Sequence, residues 1–456
     1  MRGEGDILLV ATYELGHSPQ GVAWPAAFLQ RAGFRPAALD LSVEPFDEAR
    51  VRRARLVALS VPMHTALRLG LAAAARVRAV NPSAALCFHG LYAPLNAPRL
   101  LAAGAVAVLG GECEEDLVAL AGSLERGEDL AGFVQRGGTE ARLARLDFPV
   151  PDRRALPPLD RYARLALPDG SERLAGYAEA TRGCKYLCRH CPIPAVYGGR
   201  FFAVPADLVV EDVARQVAAG AAHVTFGDPD FLNGPSHALR VARAVRVRCP
   251  GLTFDFTAKV EHLVRYPAAL AELAALGGLF VTSAVESLSD LVLERLRKGH
   301  TRRDVLVAFE ICAEVGLTLR PSLVPFTPWS TLDDYLETLE VFEARGWLGS
   351  LDPVQLGIRL LVPPGSLLEG EPELSAGGLD EERLGWRWAH PDPRMDGLQR
   401  RVAAAVEDGA RRGQDPLATL AVVKALALAA AGRRHVHVAR PFSSGRVPRL
   451  TESWYC

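Results

Sequence analysis

The stretch Arg182-Gly183-Cys184-Lys185-Tyr186-Leu187-Cys188-Arg189-His190-Cys191-Pro192 brings three of the chain's eight cysteines into eight positions. It directly follows an apolar run, 174–181, that is typical of a buried strand. Eight cysteines in 456 residues are too few for a disulfide scaffold. The CxxxCxxC clustering therefore indicates reduced thiolates that bind a metal, and we predict Cys184, Cys188 and Cys191 as the ligands.

Two kinds of metal centre match these three cysteines. Thiolates suit iron–sulfur clusters, and a cluster of four irons held by three protein thiolates leaves one iron open to a substrate or cofactor. The alternative is a structural zinc ion with His190 or a distant histidine as its fourth ligand, because structural zinc prefers four protein ligands. No second cysteine pair follows at zinc-ribbon spacing, so the sequence favours the iron–sulfur cluster.

The cysteines lie near the start of a series of alternating strands and helices. The candidate strands are 174–181, 223–226, 253–258, 279–285, 318–325 and 355–361. Six units in about 190 residues fall short of the roughly 250 residues of an eight-unit barrel. We therefore predict a partial, six-strand (β/α)6 barrel over 173–365, with the cysteines at the strand ends where catalytic groups of barrels sit.

The first 125 or so residues show a second alternation of short apolar runs with segments of helical period. The runs are 7–11, 37–41, 56–61, 85–88 and 106–109. Because parallel neighbours need a crossover helix, these runs predict an α/β, doubly wound, Rossmann-like domain over 1–133. The proline- and arginine-rich stretch 134–172 reads as a linker, and 366–456 as a mostly helical C-terminal region.

Composition excludes several classes of protein. Hydrophobic residues make up 49% and charged residues 23%, which rules out a disordered or fibrous chain. The 52 basic and 53 acidic residues leave a formal charge of −1, so no bulk attraction to nucleic acid or an anionic membrane is expected. All but four of the basic residues are arginines, which we attribute to codon bias in a GC-rich genome.

The start of the chain and its longest apolar stretch predict where the protein is found. The first residues lack the length and cleavage region of a signal peptide. The longest apolar helical stretch, 417–431, is shorter than the roughly 20 residues that span a bilayer. We therefore expect a cytoplasmic protein with no membrane anchor and no nucleic-acid partner.

The cysteine spacing and its position after a barrel strand resemble those of the radical S-adenosylmethionine (SAM) superfamily. The resemblance implies that the open iron of a [4Fe–4S] cluster binds SAM, and that an electron from the cluster cleaves SAM to a 5′-deoxyadenosyl radical. It also implies a small-molecule substrate and a reductant such as a flavodoxin or ferredoxin. His190 departs from the aromatic residue found there in many members, and we expect it to pack against the adenine.

Phe226-Gly227-Asp228-Pro229-Asp230 resembles the family's glycine-rich segment that binds the amino group of SAM. The second glycine and the glutamate of that segment are replaced here, so the resemblance implies Asp228 or Asp230 as the acceptor beside Gly227. The same letters are also typical of an ordinary turn.

The segment Ser283–Ser287, followed by Leu296–Thr301, resembles the fourth-strand motif of the cobalamin-type branch. The resemblance implies that Ser283 and Glu286 contact the ribose and carboxylate of SAM, whereas helix capping is the structural alternative. Arg320, on the fifth strand, either pairs with the carboxylate of SAM or forms a structural ion pair.

The front domain, linker and barrel together resemble cobalamin-binding radical SAM enzymes, and 110–115 matches the usual end of their front domain. The Asp-x-His-x-x-Gly signature is absent from the first loop, 12–18, which argues against imidazole ligation of cobalt but not against cobalamin. Histidines at strand ends are also often structural. The predicted cobalamin cleft contains His17, His89, Gly90, Gly110, Gly111 and Glu112.

The tail, Glu452-Ser453-Trp454-Tyr455-Cys456, resembles a group of radical proteins that continue through Cys or selenocysteine into Ala-Glu-Pro. The resemblance implies a UGA codon read as stop after Cys456, and a soft ligand or redox role for the thiol of Cys456. The alternative is a frayed end with an unremarkable cysteine.

Three functions follow from these patterns. The first is a radical SAM enzyme that transfers a methyl group through cobalamin to an unactivated carbon or a phosphorus centre. The second keeps the radical, lacks cobalamin, and acts on a small molecule or metalloid without methyl transfer. The third is a non-catalytic zinc-binding protein.

Overall fold

The structure is a computed structural model that describes residues 1–128, 130, 141–433 and 447–452. Its front domain is built on five parallel strands in the order β2-β1-β3-β4-β5, as the sequence predicts. The strands are β1 (Ile7–Ala11), β2 (Ala37–Asp40), β3 (Leu56–Ser60), β4 (Ala85–His89) and β5 (Ala107–Leu109). The helices are α1 (Gln20–Arg31), α2 (Glu48–Arg53), α3 (His64–Val80), α4 (Tyr92–Leu95), α5 (Ala97–Ala102) and α6 (Glu114–Arg126).

Both faces of this sheet are covered, which explains the continuous apolar runs of its strands. Leu8 and Val10 of β1 pack into one hydrophobic cluster, and their neighbours Ile7 and Leu9 pack into another on the opposite face. The carboxyl ends of the strands therefore form the edge at which a ligand of such a sheet binds.

The second sheet contains five parallel strands in the order β13-β12-β11-β10-β7, extended by two antiparallel strands, β6 and β16. The strands before the C-terminal region are β6 (Arg164–Ala166), β7 (Glu172–Ala178), β8 (Thr181–Gly183), β9 (Phe201–Ala203), β10 (His223–Phe226), β11 (Thr253–Thr257), β12 (Gly278–Glu286) and β13 (Thr318–Leu323). Strands β8 and β9 form a separate hairpin. This curled α/β sheet is the predicted partial barrel.

The helices of the barrel cover the outer face of its sheet. They are α7 (Pro192–Tyr197), α8 (Ala206–Ala218), α9 (Pro235–Arg248), α10 (Val260–Arg265), α11 (Pro267–Ala275), α12 (Asp290–Arg295), α13 (Arg302–Glu314) and α14 (Leu332–Ala344). Phe254 and Phe256 of β11 are buried in the hydrophobic core that these helices share with the sheet.

The sixth unit of the barrel differs from the prediction. Within 355–361, the first residues belong to the 3-10 helix Pro353–Gly357, and the strand is reduced to one isolated bridge between Phe326 and Arg359. The side chain of Gln355 accepts a hydrogen bond from the backbone N–H of Leu323 at 2.9 Å. A side chain thus occupies the edge of β13 where the backbone of a sixth strand would pair.

The predicted linker also contributes to the barrel, because β6 lies within 134–172 and pairs with β7. The C-terminal region is mostly helical in its described part. Its elements are α15 (Pro372–Ser375), β14 (Leu379–Asp380), β15 (Gly385–Trp386), α16 (Pro393–Arg411), α17 (Pro416–Ala430) and β16 (Arg449–Leu450). Across the described ranges, every helix is too short or too polar to cross a lipid bilayer.

The last described residues connect three parts of the molecule. Strand β16 pairs with β6 at one edge of the barrel sheet. The guanidinium of Arg320, on β13 at the opposite edge, donates to the carbonyl oxygen of Pro448 at 3.2 Å. The hydroxyl of Tyr13 in the front domain donates to the carboxylate of Glu452 at 2.8 Å. Cys456, the predicted soft ligand, lies outside the described residues.

Candidate functional site

The cysteine loop, Cys184–Cys191, begins directly after the short strand β8. Strand β8 ends at Gly183, five residues beyond Ala178, the last residue of β7. Cys184 and Cys188 are buried, Cys191 is half-buried, and all three carry free thiols. Burial raises the pKa of Cys184, and it raises the pKa of Cys191 to about 12. Such thiols stay protonated in the protein alone, and binding of a soft metal would convert them to thiolates.

Gly183 fixes the backbone that enters the loop. Its φ angle is +75°, and a Cβ atom at this position would lie 2.5 Å from the carbonyl oxygen of Arg200. Any other residue would meet both a left-handed conformation and a backbone clash. The hairpin of β8 and β9 therefore requires glycine immediately before Cys184.

Asp228 anchors the chain that leads into the loop. Its carboxylate accepts hydrogen bonds from the backbone N–H of Ala180 at 3.0 Å and from the hydroxyl of Thr181 at 2.5 Å. Burial raises the pKa of Asp228 to about 7, although these hydrogen bonds partly lower it. The preceding Gly227 has no room for a side chain, because a Cβ atom would lie 1.9 Å from the hydroxyl oxygen of Tyr177.

Asn233, which the sequence analysis missed, contacts the first cysteine directly. The thiol of Cys184 lies 3.7 Å from its side-chain carbonyl oxygen, and the backbone N–H of Lys185 donates to the same oxygen at 3.5 Å. Asn233 ends the 3-10 helix Phe231–Asn233, which Asp230 caps through the N–H of Leu232. No local sequence pattern marks Asn233, because its contact with Cys184 arises from the fold.

Asp230 is linked to the middle of the cysteine loop through His262. The carboxylate of Asp230 lies 2.8 Å from Nδ1 of His262, and both side chains are fully buried. Nε2 of His262 lies 2.7 Å from the hydroxyl of Tyr186, between the first and second cysteines. His262 was not predicted, since one histidine on a helix has no distinguishing pattern.

Glu286, His190 and Lys298 form the second buried network beside the cysteines. One carboxylate oxygen of Glu286 lies 3.1 Å from Nε2 of His190 and 3.2 Å from the ammonium of Lys298. Burial alone would raise the pKa of Glu286, but Lys298 and His190 together lower it to about 2. Glu286 thus ties the fourth barrel strand to the loop, and it does so from a left-handed backbone with φ of 64°.

The remaining predicted SAM residues occupy different environments. Ser283 lies fully buried on β12, and its hydroxyl has no hydrogen-bond partner among the described residues. Nδ1 of His190 is also buried and unpartnered there. Arg320, by contrast, is bound to the carbonyl of Pro448, and burial lowers its pKa. The SAM contacts of all these residues stay predictions.

The predicted cobalamin residues contact the barrel and the linker. His17 stacks on Tyr177 of β7, with ring centroids 4.3 Å apart, and burial lowers the pKa of His17 to about 4. Burial likewise lowers the pKa of His89 to about 4, next to Gly90, whose φ is +109°. Both imidazoles are therefore neutral over the physiological pH range.

The loop after β5 joins the front domain to the cysteine region. The backbone N–H of Glu112 donates a hydrogen bond to the carbonyl oxygen of Arg142, and the carbonyl oxygen of Gly110 accepts one from the N–H of Arg142. A Cβ atom on Gly111 would clash with the same carbonyl oxygen of Arg142. The carboxylate of Glu112 accepts a hydrogen bond from the hydroxyl of Tyr197 at 3.0 Å. Burial raises the pKa of Glu112 to about 7.

A cavity of about 450 Å³ opens where these parts meet. It is lined by Pro94 and Leu95 of the front domain, Ala141 and Leu143 after the front domain, and Ala195, Val196 and Arg200 beyond the cysteines. The front-domain contribution comes from helix α4, directly after β4, so the cavity lies at the ligand-binding edge of that sheet. Its lining side chains are apolar except for Arg200, but polar atoms of Arg200 and of the backbone make up most of the exposed wall.

The residues present fit the groups that the sequence pattern implies. Three free thiols, two of them buried and one half-buried, are the donor set of an iron–sulfur cluster with one open iron. The unpartnered hydroxyl of Ser283 and Nδ1 of His190 leave two buried polar atoms for a polar ligand.

Comparison with known proteins agrees with this geometry. Residues 179–342 match the family model described as "Radical SAM superfamily". An uncharacterized methyltransferase, PH0819 of Pyrococcus horikoshii, is 24% identical over 246 residues, which are 51% of this chain and 52% of the relative. A tRNA-2-methylthio-N(6)-dimethylallyladenosine synthase of Sorangium cellulosum is 25% identical over 38% of this chain and 39% of its own length. The matched region thus spans at most about half of these curated relatives.

Two solved structures share the fold of most of the chain. The cobalamin-dependent SAM radical enzyme OxsB, with aqua-cobalamin bound, has a TM-score of 0.69 at 14% identity, over 89% of this chain and 67% of that one. The radical SAM methyltransferase TsrM of Kitasatospora setae, with cobalamin and a [4Fe–4S] cluster bound, has a TM-score of 0.61 at 18% identity, over 75% and 73% of the two chains. Residues 179–342 therefore match the radical SAM superfamily, and most of the chain has the α/β fold of these two enzymes.

Proposed function

We propose that this protein is a cobalamin-dependent radical SAM methyltransferase whose [4Fe–4S] cluster is held by Cys184, Cys188 and Cys191. The observation that carries the proposal is the joint placement of three free thiols in one loop and a cavity beyond them that the front domain helps to line. When bound, the cluster and SAM supply one-electron cleavage of the sulfonium, and cobalamin supplies a carrier for the methyl group.

The protein's own residues would prepare the site in three ways. Gly183, Asp228 and Asn233 fix the entry of the cysteine loop. Ser283 offers a buried hydroxyl, and His190 a buried ring nitrogen, to the polar groups of SAM. Burial of the cysteines keeps bulk water away from a reactive radical, which protects it from side reactions.

The cavity supports a cobalamin site at the junction of front domain and barrel. Its lining combines apolar side chains with the guanidinium of Arg200 and backbone polar groups, which suits a large ligand with both apolar and polar parts, and the neutral His17 and His89 lie in the front domain that contributes to the cavity. We propose methyl transfer to an unactivated carbon or a phosphorus centre of a small molecule, with a flavodoxin or ferredoxin as electron donor. The structural neighbour TsrM has been solved with tryptophan bound as its substrate, and tryptophan is a small molecule.

Anaerobic reconstitution with iron, sulfide and hydroxocobalamin, followed by desalting, tests the proposal. We expect about four irons per chain, retained cobalamin absorbance, and 5′-deoxyadenosine after addition of SAM and a strong reductant. Iron with 5′-deoxyadenosine but no retained cobalamin would replace the proposal with radical chemistry that does not use cobalamin. A colourless protein with one zinc would overturn both.

Cysteine variants make the test specific to the loop. Cys184→Ala, Cys188→Ala and Cys191→Ala should each abolish formation of 5′-deoxyadenosine, because each removes one of three thiolate ligands. The matched control is Cys249→Ala, since Cys249 is also a buried free cysteine but lies after helix α9, among hydrophobic core residues. Full turnover by any of the three loop variants would refute their role as ligands.

A further inference from the structure

Lysine is rare in this chain and is concentrated at the cysteine loop. Of the 52 basic residues, only Lys185, Lys259, Lys298 and Lys424 are lysines, and 48 are arginines. Lys185 is part of the loop, and Lys259 and Lys298 contact residues bound to it. Because arginine has taken almost every other basic position, the lysines at the loop indicate sites that need a compact ammonium group rather than a planar guanidinium.

Lys298 is the most deeply buried of them, with 2% of its surface exposed. Its ammonium lies 3.2 Å from the carboxylate of Glu286, which also contacts His190, the residue before the third cysteine. A buried charge pair thus contacts the residue immediately before the third predicted cluster ligand.

Lys259 occupies the other side of the loop. Its ammonium lies 3.4 Å from the centroid of the Tyr186 ring and 3.6 Å from the carboxylate of Glu261. The next residue after Lys298, Gly299, would place a Cβ atom 3.1 Å from the same carboxylate. The region is therefore closely packed, and each buried lysine has one acidic partner.

We propose that Lys298 is a positioning residue whose charge, paired with that of Glu286, sets the reduction potential of the cluster on the cysteine loop. The inference rests on the proposed function, since it needs a cluster bound by these cysteines. It concerns the charges of this chain and not the contacts of SAM or cobalamin, so it can fail while the proposed function holds.

The sign of each effect follows from electrostatics. Reduction adds an electron to a group already surrounded by thiolates, so a nearby buried cation favours the reduced state and raises the potential. A nearby anion has the opposite effect. Lys298 without Glu286 would raise the potential, Glu286 without Lys298 would lower it, and the pair keeps the two effects in balance.

The test is spectroelectrochemical titration of the reconstituted full-length protein in the absence of SAM and substrate. We expect Lys298→Met, which keeps the approximate length of the side chain, to shift the midpoint potential to a more negative value. Glu286→Gln, which keeps the shape and removes the charge, should shift it to a more positive value. The double variant should return close to the wild-type potential.

The control is Lys424→Met, which removes the one lysine that lies away from the loop, on α17, where it pairs with Glu343. If Lys298 has only a structural role, Lys298→Met should change the iron content or the melting temperature, and Lys298→Met and Glu286→Gln should not shift the potential in opposite directions. Shifts of the same sign, or shifts no larger than that of Lys424→Met, would overturn the proposal. If Lys298→Met does not retain its cluster, Glu286→Gln decides, because an unchanged potential in that variant contradicts the model.

If the wild-type protein forms no cluster, the proposed function fails first, and the iron and sulfide assay reports that separately. A wild-type cluster with unresponsive variants leaves the proposed function intact and removes only the role assigned to Lys298.

Discussion

At the scale of single residues, backbone space decides whether the cysteine loop can form. Gly183 and Gly198 both have positive φ angles, of +75° and +56°, but only Gly183 is surrounded by other atoms. We expect Gly198→Ala to cost about 1 kcal/mol of stability from conformation alone. Gly183→Ala adds a clash with the carbonyl of Arg200, so it should cost more and also lower the iron retained after reconstitution.

The measurement is iron per chain, together with the melting temperature, for the two alanine variants side by side. Equal iron retention by Gly183→Ala and Gly198→Ala would contradict the role given to the space around Gly183. Comparing the two variants separates two costs in stability. The cost of a positive φ angle is common to both variants, whereas the cost of crowding falls only on Gly183→Ala.

The sequence predicted the parts of the site that have a local signature. Three cysteines in eight positions are visible in the chain, and Glu286 lies in a motif that could be recognised. Asn233 and His262 were missed because their contacts with the loop arise from folding, as the sheet brings β10 beside β7 and β11 beside β10. A lone asparagine or histidine carries no such information in one sequence.

At the scale of elements, the buried carboxylate of Glu14 lies at the start of the first helix. Glu14 accepts hydrogen bonds from the backbone N–H groups of Gln20 at 2.8 Å and Gly21 at 3.2 Å, at the start of α1. Burial raises the pKa of Glu14 to about 8, and the two N–H groups only partly offset this effect. The folded front domain therefore binds this proton more tightly than the unfolded chain does.

The pH dependence follows from that difference. The ordinary pKa of this carboxyl is 4.5. At low pH, Glu14 is protonated in both the folded and the unfolded chain. As the pH rises, the unfolded chain loses this proton first, and the folded state loses its relative stabilisation. The free energy of unfolding should fall as the pH rises from about 5 to about 8, and then level off. Glu14→Gln should remove this part of the slope in urea titrations, and an identical slope in the variant would contradict the assignment.

The prediction of elements succeeded where burial leaves a continuous apolar pattern. The run 7–11 is β1 without change, because both faces of that strand are covered. The run 355–361 was predicted as a strand from its apolar residues, yet Pro353 begins a 3-10 helix that Asp352 caps through the N–H of Val354. Gln355 then bonds to the edge of β13, a tertiary contact that no local pattern reveals.

At the scale of the whole molecule, one buried arginine connects the front domain to the strand that leads into the cysteine loop. Arg182 of β8 lies 2.6 Å from the carboxylate of Glu114 and 3.4 Å from that of Glu112 in the front domain. It also lies 3.2 Å from the carboxylate of Glu179, which accepts a hydrogen bond from the indole of Trp24. Domain docking and the position of the cysteines therefore depend on the same side chain.

Arg182→Met should destabilise the protein by roughly 3–5 kcal/mol near pH 8, because it leaves the buried carboxylates of Glu112 and Glu114 and the half-buried one of Glu179 without their cation. Glu112 already has a pKa raised to about 7 beside Arg182, so without the guanidinium it should take up a proton at still higher pH. The deficit relative to wild type should therefore shrink as the pH falls from 8 to 5, as measured by urea unfolding. Arg31→Met, which breaks an exposed pair with Asp147, should show little change at any pH. A deficit for Arg182→Met that is small or independent of pH would mean that the two domains dock without this charge cluster.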